Sequence, residues 1–106
     1  MQMNEKLMIT VSEPWDFSSS DGDNIFTCTI IEINKNNKES IYLARTNSAF
    51  KINEVIVNYV VLQSRDKSNK NFNIYYINDN ELDKFQDIYK CLDKLNFIII
   101  GSLKTN

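Results

Sequence analysis

Over residues 6–12 the apolar side chains Leu7, Ile9 and Val11 alternate with Met8, Thr10 and Ser12. A period of two sets one group against a core and the other outside, which predicts a first strand. Residues 24–33 are rich in isoleucine, phenylalanine and threonine and apolar on both faces, which predicts a central strand. The polar, asparagine-rich run 34–40 predicts a turn into a third strand at 40–46, because asparagine bonds its own backbone and tolerates left-handed conformations. Residues 54–64 predict the longest and most apolar strand, preceded by a connection that is not a hairpin. The charged run 64–71 predicts a second hairpin turn, after which FNIYYIN resumes the strand pattern over 72–78.

The clearest periodicity lies at 81–95. Leu82, Phe85, Ile88, Tyr89, Leu92 and Leu95 recur at three- and four-residue spacing, with Asp83, Asp87, Lys90 and Lys94 on the other side, and this predicts an amphipathic helix. Asn80 suits its N-cap, and Asp83 the acidic position of a capping box. Residues 97–103 predict a final short strand. The order βββββαβ gives a mostly antiparallel sheet whose apolar face needs covering. It predicts an α+β fold, a curled sheet of about five or six strands with the helix packed on it. The strand after the helix is expected to pair in parallel with the strand before it, through a right-handed crossover. With 106 residues, no repeat and no long linker, 1–106 is expected to form a single domain.

Composition removes several kinds of chemistry. The chain has no histidine, so it lacks Ser-His-Asp and Cys-His machinery and the usual neutral-pH base. Two cysteines without histidine do not fill a tetrahedral zinc site. Gly22 and Gly101 stand alone, so neither a phosphate-binding loop nor a dinucleotide fingerprint can be written. We therefore expect no catalytic residues, no metal and no cofactor, and read Cys28 and Cys91 as reduced packing residues. A net charge of −2 and a pI near 5.0 give no pull toward nucleic acid or an anionic membrane, and slightly favour a basic partner. No apolar run reaches the ~18 residues of a membrane-spanning helix, and 7–11 is too short for a signal-peptide core, so a soluble, cytoplasmic protein is expected. The abundance of isoleucine, asparagine and lysine matches an AT-rich bacterial or phage genome.

The stretch VSEPWDFSSSDGDN, residues 11–24, concentrates the unusual side chains, including the only proline and the only tryptophan. Pro14 restricts Glu13 to extended backbone, and Trp15 and Phe17 bracket Asp16. Trp15 serves either as a plug at one end of the core or as an interface anchor ringed by acids. On the second reading Glu13, Trp15, Asp16, Phe17, Asp21 and Asp23 form a partner-binding loop, with the carboxylates steering a basic protein. The same carboxylates admit two further readings, a pair serving an enzyme without histidine and a calcium loop. The second lacks the closing bidentate glutamate. Arg65, Lys67 and Lys70 make an alternative binding surface, close to Phe72, Tyr75 and Tyr76 on which bases could stack. Asp66 interrupts that basic group, and no RNA-binding motif accompanies it.

In size, acidity and want of catalytic residues the chain resembles small toxin-immunity and anti-defence proteins of bacteria and phages. The resemblance is one of composition and carries no site residues. It implies a non-enzymatic binding protein that occludes a protein partner or sequesters a small ligand. The alternatives are a carboxylate-dependent small enzyme and a nucleic-acid-binding accessory domain. Oligomeric state and strand order are not encoded in any pattern above.

Overall fold

The computed structural model describes residues 1–12, 17–22, 24–35, 40–52, 54–65, 68, 70–77, 79–87 and 96–103, with the backbone alone at 17, 81, 84, 86, 87 and 96–100. Nine strands are described: β1 (Lys6–Val11), β2 (Phe17–Ser19), β3 (Ile25–Lys35), β4 (Ser40–Thr46), β5 (Phe50–Ile52), β6 (Val55–Ile56), β7 (Tyr59–Ser64), β8 (Asn71–Ile77) and β9 (Asn96–Leu103). Six of them close into a barrel in the order β1-β3-β4-β7-β8-β9, and every neighbouring pair is antiparallel, including the closing pair β1–β9. The remaining three form a small antiparallel sheet, β2-β5-β6.

The architecture is therefore all-β among the described residues, and the expected α+β fold is incorrect. Residues Asp79–Asp87 form a 3-10 helix rather than the start of an α-helix, and the rest of the expected helix, with Ile88, Tyr89, Leu92 and Leu95, lies outside the described residues. The strand after it pairs antiparallel with β8, not in parallel. The physical reason is closure. A sheet that curls until β1 meets β9 covers its own inner face, so no helical layer is needed to bury it.

Alternation along each barrel strand separates an inner from an outer layer. Leu7, Ile9 and Val11 of β1, Phe26, Cys28 and Ile30 of β3, Tyr42 and Ala44 of β4, Val60 and Leu62 of β7, and Phe72 and Ile74 of β8 fill the interior. Six strands leave only enough space for side chains to fill. The interior is tight at Gly101, for a Cβ built there would meet Ile74 Cδ1 at 2.5 Å. Its cross-strand partners are Phe72 on β8 and Val11 on β1, and the space a side chain would need is taken by Ile74 and Ile9.

A second apolar cluster lies outside the barrel. Ile41, Leu43, Val61 and Ile77 point outward from β4, β7 and β8, and Leu82 and Phe85 of the 3-10 segment pack across them. Strands apolar on both faces thus reflect two clusters on opposite sides of one sheet. β3 changes phase partway: Ile30 opposes Ala44 and Glu32 opposes Leu43, leaving Ile31 as a bulge. The extra residue sends Ile31 toward the outer cluster and returns Ile33 to the inner one. A comparable slip in the β8–β9 ladder lies between Ile74 and Tyr75.

The capped end of the barrel

Chain direction sorts the connections between the two ends. At one end β1, β4 and β8 finish while β3, β7 and β9 begin, so the connections 12–24, 47–58 and 78–95 all leave and re-enter there. At the other end the chain turns within 36–39 and 65–70. The long connections thus share one end, and short turns close the other. Loops held on a rigid sheet are where binding residues concentrate.

Two of the long connections are joined. β2, from 12–24, pairs with β5, from 47–58, so that Ser18 opposes Lys51, and β5 pairs in turn with β6, so that Lys51 opposes Ile56. The resulting sheet caps the barrel mouth. Phe50, Ile52 and Val57 turn inward into the main core, where Phe50 packs against Phe26 with ring centroids 4.7 Å apart. Ser18, Lys51 and Ile56 form the row that faces outward, and all three are exposed.

Hydrogen bonds fasten the cap. The Ser20 N–H donates to the Ala49 carbonyl at 3.0 Å, and the Ala49 N–H donates back to Ser20 Oγ at 3.1 Å. The Ser19 hydroxyl donates to Ser48 Oγ at 3.2 Å, and the Asp21 N–H donates to Ser19 Oγ at 3.1 Å. Asp21 accepts from both the N–H and the hydroxyl of Thr27, at 3.1 and 3.0 Å. The Ser48 hydroxyl, followed by the Thr27 donors, holds the Asp21 carboxyl below its ordinary value of 3.8. On the outer barrel wall nearby, the Asn47 side-chain amide donates to Thr29 Oγ1 at 2.7 Å, closing over a buried hydroxyl.

Of the residues expected to form a partner-binding loop, Asp21 is exposed and already engaged with Thr27, and Phe17 contributes backbone to β2. Glu13, Trp15, Asp16 and Asp23 lie outside the described residues. Of the alternative basic surface, Arg65 and Lys70 are exposed at the far end of the barrel, and Lys67 lies outside the described residues. The structure therefore separates the two candidate surfaces by the length of the barrel. Tyr75, expected beside that basic surface, instead faces the outer cluster, where its hydroxyl donates to Gln63 Oε1 at 2.9 Å.

Composition of the connections polarises the molecule. By sequence, 12–24 holds Glu13, Asp16, Asp21 and Asp23 with no basic residue, and 47–58 adds Glu54 against Lys51. The turns at the opposite end hold Lys38, Arg65, Lys67 and Lys70 against Glu39 and Asp66. A cap-end feature invisible to periodicity is the two-residue strand β6, in which Val55 and Ile56 are 52% and 65% exposed. Its sequence signal is the apolar pair following Asn53 and Glu54, which belongs to the run 54–64 that predicts a single long strand.

Chemically reactive groups are few. Cys28 is a free thiol facing the barrel interior, where burial pushes its pKa up to about 12, so it is inert as a nucleophile. Among the described residues no three acidic or cysteine side chains gather in a way that would hold a metal ion. Among them, too, no helix is long and apolar enough to cross a membrane. Compared with known protein families, characterised proteins and solved structures, the chain matches none.

Proposed function

We propose that this is a non-enzymatic binding protein of the cytoplasm, of the immunity, inhibitor or anti-defence kind, which occludes a basic protein partner with the capped end of its barrel. One observation carries the reading: topology brings the acidic connection 12–24 and the exposed apolar pair Val55 and Ile56 to the same end of a closed barrel. Carboxylates around an apolar contact steer a basic partner and fix its orientation, while the apolar residues resist its departure. The barrel interior is occupied by packed apolar side chains, which directs recognition to the surface.

The test is affinity capture from the source cell, followed by kinetics with the captured protein. Asp23→Lys combined with Glu54→Lys spares the Asp21–Thr27 hydrogen bonds. It should slow association about tenfold at low salt and flatten the salt dependence. Unchanged association by this variant, together with a loss on Arg65→Glu and Lys70→Glu, would move the binding surface to the opposite end.

A further inference from the structure

Resting on the function proposed above, we infer that the partner supplies an extended strand that adds to the free edge of β6, with an apolar residue opposite Ile56 and a basic residue beside Glu54. The inference begins with hydrogen-bond phase. The Val57 N–H donates to the Phe50 carbonyl at 3.0 Å, so Phe50 and Val57 are a bonded pair of the β5–β6 ladder. Bonded and non-bonded pairs alternate in antiparallel sheets. Ile52 with Val55 is then the next bonded pair, and Ile56, lying between, turns both its N–H and its carbonyl away from β5. Neither group meets a partner among the described residues. A strand arriving at this edge would complete both bonds and cover the exposed Ile56 side chain.

The opposite edge of the same sheet is less open. The Ser19 carbonyl of β2 already accepts the Gly22 N–H at 3.4 Å, and the turn that follows is tied to Ala49. On β6 the limits come from Asn58, whose carbonyl accepts the Thr46 N–H at 2.9 Å, and from Glu54, whose φ of 67° ends the extended run. The edge therefore takes a short strand centred on Ile56.

Charge selects the occupant. Glu54 is exposed in the turn that opens β6, two residues before Ile56, so a basic side chain two positions from the apolar residue of an antiparallel strand would pass beside its carboxylate. A second copy of this chain would set one acidic connection 12–24 against another, which like-charge repulsion opposes.

The probe is the capped peptide Thr-Lys-Thr-Val-Thr-Lys-Thr, titrated into the full chain while amide signals are followed. At saturation the Ile56 amide should exchange about tenfold more slowly, with smaller changes in the barrel strands. The same peptide N-methylated at valine, equal in charge but unable to donate, should lose that protection. Ile56→Pro removes an N–H that β5 does not use, together with the exposed apolar side chain, and should abolish binding, with its circular dichroism unchanged. Binding that survives both N-methylation and Ile56→Pro, but is lost in Asp23→Lys/Glu54→Lys, would overturn strand addition and leave the acidic-end reading standing. Peptide binding unaffected by any of these changes would overturn both. A concentration-dependent dimer in sedimentation, abolished by Ile56→Pro, would assign the edge to a second copy and overturn the basic strand.

Discussion

Replacing Gly101 by alanine tests how tightly the six-stranded barrel is filled. The new methyl would lie 2.5 Å from Ile74 Cδ1, 3.0 Å from Ile9 Cγ2 and 3.2 Å from the Thr10 carbonyl oxygen, against the ~3.5–4.0 Å of ordinary contact. The backbone at Gly101 is one any residue adopts, so the strain is steric. Overpacking of this kind costs about 1–3 kcal/mol, and reduced freedom of the unfolded chain returns about 0.4–1 kcal/mol, leaving a net loss of about 1–2 kcal/mol. Ile74→Val removes the Cδ1 atom that makes the worst contact and alone should cost about 0.5–1.5 kcal/mol. In the double variant the added methyl occupies the space that Cδ1 vacates. Its stability should match Gly101→Ala alone to within about 0.5 kcal/mol rather than show both losses. Urea unfolding monitored by fluorescence gives the four values, provided the denaturant slope stays constant. Strict additivity, or a neutral Gly101→Ala, would refute the packing geometry.

Two further outcomes follow from other parts of the molecule. Phe85→Ala should destabilise by about 3–5 kcal/mol, because the ring is buried in the outer cluster, and an unchanged thermal midpoint would detach the 3-10 segment from the barrel wall. Because hydrogen bonds hold the Asp21 carboxyl below its ordinary 3.8, its stabilising contribution is present above that value and is lost as pH falls through the lower folded value. Asp21→Asn should therefore flatten the acid limb of a stability–pH curve, and an unaltered limb would remove Asp21 from the fastening of the cap.

Strand positions were legible where alternation had a single cause. Residues 6–12 contain β1 (Lys6–Val11), which presents side chains to one inner core throughout, whereas 40–46 match β4 (Ser40–Thr46) through the polar run before it, since β4 buries Tyr42 and Ala44 inside and Ile41 and Leu43 in the outer cluster. The segment 54–64 misled because apolar content continues through Val57, although the chain leaves β6 (Val55–Ile56) there to begin β7 (Tyr59–Ser64). Short β2 and β5 were hidden inside connections, since three residues carry too little pattern to register. Leu82 and Phe85 are three apart, a spacing shared by α- and 3-10 helices, so periodicity found the face that meets the sheet without distinguishing the helix type. Closure of the barrel has no local signature at all, because it is a contact between β1 and β9. The acidic character of the candidate site was visible in residues 13–23. Its neighbour Ile56 was not, because exposure depends on the hairpin that presents it.

The β1–β9 ladder also sets when folding can finish. Ile9 pairs with Leu103, far apart in sequence, so the last closure must await synthesis through Leu103 and bear the entropy of a very long loop. Until then β1 and β8 each present an unpaired edge flanked by the apolar residues destined for the interior, the form most prone to pairing with other chains. Slow folding and aggregation at high expression are the expected kinetic counterpart of a barrel that, once closed, leaves the edge of β6 open at the cap.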